Sequence, residues 1–423
     1  MKQVYILICL VIFGAGINTL RAQYSCANGR YYNQIFSDSV VTVPYGEAIE
    51  YTGDDTILLM DVYLPKGDNF ARRPLIVMAF PGSFTSGVRQ SPDLIELCTY
   101  FSERGYVCAS IDYRLGIPAN TDSCQFLALW RGVQDMMASV RYFYKDAQTA
   151  NQFRIDTNQI FIGGSSAGAF IALNYAYFKQ DTFSKPPPSF ATTDIIQLGG
   201  LNGNSGNPGY SQNVKGVIDL SGGLADTVWI MPGDPILVGE HGTEDSLVLC
   251  WFDSAYAVTH IRASLYGGGD IKNRLSHIPN TDSMYLFYGA GHVPFILPKD
   301  SSLGAILAIP LYMDTTEWLI RDFLYKNVVC DSTIAGISEP DNKLSISIYP
   351  NPSNRSISIY SGQPEDMDMA IVNTMGQVMR HEILAANSSL TLKKGDFGEG
   401  IYFVQFRNKG TNNVLKTEKI IFY

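Results

Sequence analysis

IFIGGSSAGAF, residues 160 to 170, decides the fold. Ile160, Phe161 and Ile162 form the short apolar run of a buried strand, and from Ala167 the stretch AGAFIALNYAYF carries small and apolar residues at helical spacing. The two serines between them therefore sit on a strand-to-helix turn. Gly164, Ser165, Ser166, Ala167 and Gly168 read G-x-S-x-G, in which glycines two before and two after the serine relieve crowding so that a strained turn exposes its hydroxyl. Centred on Ser165, the second glycine would be Ala167, so Ser166 is the candidate nucleophile. In a chain with 38 glycines the pattern has meaning only with partners.

Outward from the turn, the chain alternates. From about Val40 to Tyr325, strand-like VTV, TILLMDVYL, PLIVMAF, VCASID, IFIG, KGVIDL, PILVGE and MYLFYG are mostly separated by helical stretches such as PDLIELCTYFSERG and LALWRGVQDMMASVRYFYKD. This is the α/β class: a mostly parallel sheet with helices on both faces and ligands beyond the carboxyl ends of the strands. Each candidate catalytic residue should then follow a strand.

A serine hydroxyl attacks a carbonyl only with a base beside it, an acid orienting that base and donors for the oxyanion. Of five histidines, 241, 260, 277, 292 and 381, His292 is the candidate base, because GAGHVPF is a glycine-rich loop after MYLFYG. His241 directly follows a strand and His277 lies in a loop, so position alone does not exclude them, whereas His260 reads as helix surface or packing. The acid should lie between serine and histidine in chain order, where PILVGEHGTEDSLV offers Asp245, with Glu240 and Glu244 as alternatives. After PLIVMAF the chain reads PGSFTSG. Pro81 has no N–H, so the oxyanion donors would be Gly82 and Ser83, joined by Ala167.

Residues 1 to 23 begin MKQVYILICLVIFGAGINTLRAQ, a Lys, an apolar stretch and a small residue at Ala22, the layout of a secretory signal peptide. No later run approaches the about 18 apolar residues of a membrane span. Six cysteines then remain, at 26, 98, 108, 124, 250 and 330, an even number that suits an oxidising compartment with the pairing open. The net charge of −9 argues against nucleic acid, and no Cys/His cluster suggests a metal, nor does any motif imply an organic cofactor.

Between 179 and 213, KPPPSF and LGGLNGNSGNPGYSQ rule out long helices and leave either a cap over the site or a surface loop. The hydrolytic region is taken as 24–330 and STIAGISEPDNK, 331–342, as a linker. Beyond it LSISIY, RSISIY, MAIVNT, QVMRHEIL, SLTL, GIYFVQFR and LKTEKIIFY suggest a small β-sandwich over 343–423. That region carries nine Lys/Arg against seven Asp/Glu, so the negative excess lies wholly before it. A small carbohydrate-binding module would look similar.

With FIGGSSAGA, SIDYRLG, RGVQDMMASVRYF, GEHGTED and GAGH together, residues from about 40 to 325 resemble the α/β-hydrolase superfamily, in particular its secreted carboxylesterase-like members. The resemblance implies Ser166 as nucleophile, Asp245 as acid and His292 as base, and matches Asp112, Tyr113, Arg114 and Asp135 to positions that stabilise the fold near the site. The family's His-Gly-Gly-Gly appears here as Phe80, Pro81, Gly82 and Ser83, a departure in the oxyanion segment. The tail, with IYPNPSNRSISI, VNTMGQVM and GIYFVQF, resembles the C-terminal (Por) sorting domain read by the type IX secretion system of certain Gram-negative bacteria. The expectation is a secreted or cell-surface serine ester hydrolase whose partners are an ester substrate and the secretion machinery. Acetyl or feruloyl esters of polysaccharides suit such an enzyme. A serine peptidase of the same superfamily and a non-catalytic adhesion protein are the rival functions.

Overall fold

In the computed structural model the described residues are 26–119, 121–179, 195–196, 198–252, 265–278, 282–296, 310–330, 346–373, 377–407 and 414–423. The signal-like segment, the linker, His260 and residues 180–194 fall outside them. The chain divides into two units, 1–335 and 336–423.

Eight strands build the sheet of the first unit: β1 (Asp38–Ile49), β2 (Asp55–Pro65), β3 (Arg73–Ala79), β4 (Val107–Ile111), β5 (Ile155–Ser165), β6 (Gly216–Leu220), β7 (Ile236–Gly242) and β8 (Ser283–Phe287). Their spatial order is β1-β2-β4-β3-β5-β6-β7-β8. β1 pairs antiparallel with β2 and β2 with β4, and from β4 to β8 every pairing is parallel. β3, β4 and β6 are buried along their whole length, as continuous apolar runs demand when both faces are covered. His241 lies inside β7 rather than after it, which corrects the sequence placement.

Helices α1 (Pro92–Ser102), α2 (Asp122–Gln148), α3 (Ala167–Tyr177), α4 (Gly268–Leu275) and α5 (Pro310–Leu324) cover the sheet. Strand alternation sorts them by face. Ile76, Met78 and Ile218 share a small cavity with Leu97 and Phe101 of α1 and Ile320 of α5. Ala79 and Gly164, paired one step further along β3 and β5, meet α3 at Gly168 instead.

The cysteine expectation resolves unevenly. Cys26 and Cys330 form a disulfide with Cα atoms 6.0 Å apart, while Cys98, Cys108 and Cys250 are buried thiols and Cys124 a partly exposed one. The bridge closes the hydrolytic unit end to end across 304 residues, a span over which cross-linking restricts the unfolded chain strongly.

The described part of the 179–213 excursion is not free. Gln134 of α2 donates to the Leu198 and Gly200 carbonyls at 3.1 and 2.7 Å, and Arg141 to Gly206 O at 2.9 Å. Ser205 Oγ donates to Asp135 at 2.6 Å. Residues 198–213 are thus strapped to the flank of α2.

The second unit contains β9 (Ile346–Tyr349), β10 (Ser356–Ser361), β11 (Met367–Asn373), β12 (Val378–Leu384), β13 (Ser389–Lys393), β14 (Gly400–Arg407) and β15 (Val414–Phe422). They form two antiparallel sheets, β13-β10-β9 and β12-β11-β14-β15, around Ile357, Ile359, Met369, Ile371, Val404, Phe406 and Ile420. No helix among the described residues is long and apolar enough to cross a membrane.

Candidate active site

Four loops at the carboxyl ends of β3, β5, β7 and β8 carry the candidate residues. The β5–α3 turn is held by close backbone approach: a Cβ on Gly168 would stand 1.9 Å from the Ala79 carbonyl oxygen, and one on Gly164 would stand 2.4 Å from the same atom. Only glycines let this turn press against the end of β3. Ser166 at its apex has φ 51° and ψ −114°, a left-handed conformation costing on the order of 1–3 kcal/mol. Its amide donates to Leu220 O at 2.8 Å, and its side chain makes no capping bond to α3. The hydroxyl is therefore left for other work.

Ser165 differs in kind. It is fully buried and its Oγ donates to Asp93 Oδ2 at 2.7 Å, where Asp93 also receives the Ser91 hydroxyl.

Acid and base meet because their loops cross. A Cβ on Gly242 would stand 2.1 Å from Gly291 O and 2.4 Å from Ala290 O, and Glu244 N donates to Ala290 O at 2.9 Å. His292 is thereby brought over Asp245, with Val293 beside it at φ 43°. His292 Nδ1 lies 2.7 Å from Asp245 Oδ2 and Nε2 lies 2.8 Å from Ser166 Oγ, an unbroken line from carboxylate to hydroxyl. Asp245 Oδ1 accepts the Leu247 and Val248 amides at 2.8 and 2.9 Å. Burial works against its charge, but the His241 and His292 bonds outweigh that and hold its carboxyl well below the usual range.

The alternatives go elsewhere. Glu244 is exposed, and Glu240 is buried within β7, where burial pushes its carboxyl to about 8. His277 bonds Asn273 O at 2.7 Å at the end of α4, and His381 lies on β12 of the second unit.

The oxyanion segment leaves β3 through Gly82 at φ 138°, Ser83 at 52° and Phe84 at 62°. A Cβ on Gly82 would stand 1.9 Å from Ser86 O, so only glycine fits there. Gly82 O accepts the Thr85 and Ser86 amides, which folds the loop back on itself. Among the described residues no acceptor faces the Gly82, Ser83 or Ala167 amides, whereas that of Ser166 is engaged. The only cis peptides among the described residues are Tyr349–Pro350 and Asn351–Pro352, so Pro81 is trans.

The other motif residues frame this segment. Tyr113 stacks on Phe80, with ring centroids 4.2 Å apart, and donates to Phe80 O at 3.0 Å, fixing the residue before Pro81. Arg114 and Asp135 form a buried ion pair at 2.8 Å, and Asp112 pairs with Arg89 at 2.6 Å. The sequence reading missed two features: Asp93 as the partner that occupies Ser165, and Gly242 as the crossing point of the acid and base loops. Asp93 carries no signal beyond its place in α1. For Gly242, a glycine two residues beyond the apolar run of PILVGE was the available sign.

Comparison with known proteins bears on the two units. Residues 60–231 match the BD-FAE family model, an esterase-like α/β-hydrolase domain, and residues 347–422 match the secretion system C-terminal sorting domain. Native esterase 2 of Thermogutta terrifontis is similar at 20% identity and a TM-score of 0.44, covering 68% of this chain and 91% of that one. The same esterase phosphorylated by paraoxon gives 21%, a TM-score of 0.45, and 68% and 93% coverage. No curated protein matches the chain. The first unit has an esterase-like α/β-hydrolase fold, and the sorting domain directs the protein through type IX export to a secreted or cell-surface location.

Proposed function

We propose that the protein is a serine carboxylic-ester hydrolase working through an acyl-enzyme, with Ser166 as nucleophile, His292 as base and Asp245 as the acid that orients it. The observation that carries the reading is the unbroken line of 2.7 and 2.8 Å contacts from Asp245 through His292 to Ser166. His292 Nε2 takes the Ser166 proton as Oγ adds to the ester carbonyl. The oxyanion is met by the amides of Gly82, Ser83 and Ala167, each worth on the order of 3–4 kcal/mol in such a site. Collapse of the tetrahedral adduct breaks the ester C–O bond, and His292 returns the proton to the departing alcohol. Water, deprotonated by the same nitrogen, then attacks the acyl-serine and releases the acid.

Pro81 does not empty the oxyanion hole. Pro81 itself offers no donor, and the amides of Gly82 and Ser83 remain beyond it. An enzyme delivered outside the cell acts on what it meets there, and acetyl or feruloyl esters of polysaccharides are the proposed class.

The test is a fluorophosphonate label followed by peptide mass spectrometry, with acetylated and feruloylated xylan offered to the unlabelled protein. Label on the peptide at Ser166 alone, with release of acetate or ferulate, is expected. Labelling at Ser165, or none together with inert esters, overturns the assignment and moves an adhesion role ahead; labelling with peptide cleavage moves a peptidase ahead.

A further inference from the structure

His241 is wholly buried in β7 and plays no part in the chemistry above. Its ring is held from both ends. The Gly268 amide at the start of α4 donates to Nδ1 at 3.2 Å, and a Cβ on Gly268 would stand 2.4 Å from His241 Cβ, so glycine is needed for the approach. At the other end Nε2 lies 2.8 Å from Val248 O and 3.3 Å from Asp245 Oδ2. A nitrogen that accepts an amide carries no proton, so the ring is neutral with its hydrogen on Nε2, shared between Val248 O and Asp245 Oδ2.

We infer that His241 is a positioning residue for the catalytic acid, a clip that closes the Asp245–Val248 turn on the side opposite its own amide bonds and aims Oδ2 at His292. This rests on the serine esterase reading. Asp245 Oδ1 is fixed by the Leu247 and Val248 amides, and Oδ2 is fixed by two imidazoles, one working and one structural. Both faces of the carboxylate are thereby used, and neither oxygen is free to turn away from the base.

Several ionisable groups surround the ring. Asp219 on β6 is pushed up to about 6 by burial, opposed by His241 itself, and Glu240 on β7 to about 8. Cys250 is pushed up to about 11, with Asp270 of α4 beyond it. Burial opposes a charge on His241 while the Asp245 bond and charge favour one and raise its pKa on balance; the Gly268 amide holds the neutral form.

The test compares His241→Gln, whose amide nitrogen reaches where Nε2 stands, with His241→Asn, which is too short, and His241→Leu, which has no donor. Expected for Asn and Leu is a loss in kcat on the order of 100-fold with KM little changed, since a small misplacement of the acid degrades the whole line. Their pH profile of kcat/KM should also depart from that of wild type, because Asp245 has then lost its second imidazole partner. Gln should recover most of both. The low-field proton resonance of the His292–Asp245 bond, recorded in the Ser166→Ala background, should persist in Gln and vanish or shift in Asn and Leu. An unmoved resonance and profile, or equal damage in Gln and Asn, overturns the inference. The resonance is read without turnover, so an inert wild type would sink the esterase reading while still deciding this one.

Discussion

The two units handle buried charge in opposite ways. The hydrolytic unit encloses Asp93, Asp135, Asp219, Glu240, His241, Asp245 and Glu317, whereas the buried polar residues described in the C-terminal unit are Ser353 and Ser361. An ionisable group removed from water must find partners or shift its pKa, and either course costs stability. The first unit accepts that cost in several places, among them the carboxyl edge of its sheet, where the proposed acid and base, Asp245 and His292, meet. Among its described residues the second encloses an apolar core in which no charged residue is buried whole, only the polar ends of Lys419 and Arg407 being sheltered from solvent, as befits a domain that is read for export rather than one that reacts.

The comparison can be broken at its strongest point by Asp245→Asn, which keeps the shape and removes the charge. Loss of kcat on the order of 10⁴-fold with a normal melting curve is expected in ester hydrolysis, and a loss below tenfold would mean the buried charge is not there for catalysis.

A second variant sharpens it from the other side. Phe406 is fully buried in the C-terminal core, so Phe406→Ala should destabilise that unit by about 3–5 kcal/mol, seen in hydrogen exchange of β14 and β15. Ester hydrolysis should stay unchanged; a parallel loss of activity would tie the units together.

The smallest effect concerns pH. Glu240 has a folded value of about 8 against an ordinary 4.5, because burial favours its neutral form. Such a group binds a proton on folding between those values, so its contribution is complete below 4.5 and is lost as pH rises to 8. Glu317, also raised to about 8, acts in the same sense, while Asp245, lowered, contributes above 3.8 and fades as pH falls. The melting temperature should therefore decline from pH 5 to 8, and Glu240→Gln should flatten the decline. A slope identical to wild type would remove Glu240 from the account.

Much of this was legible before any coordinates. Periodicity marked the strands of both units because each buries a regular apolar face, and the glycines of 164 and 168 marked the turn because only they permit its approach to β3. His292 and a group of candidate acids were findable as residues at or just past strand ends, and the choice of Asp245 over Glu240 and Glu244 came from the family resemblance. What stayed hidden depends on contacts between segments far apart in the chain: Cys26 with Cys330, Ser165 with Asp93 and Gly242 with Ala290. His241 was read as directly following the strand because β7 runs two residues further than its apolar pattern, the extension being held by pairing with β8 rather than by composition.

The central claim, that Ser166 and not its neighbour reacts, is tested most directly by hydrolysis of p-nitrophenyl acetate and butyrate by wild type, Ser166→Ala and Ser165→Ala. The account predicts a loss on the order of 10⁴-fold or more for Ser166→Ala, with Ser165→Ala within about tenfold of wild type and only less stable. Activity that survives in Ser166→Ala, or disappears only in Ser165→Ala, would contradict it.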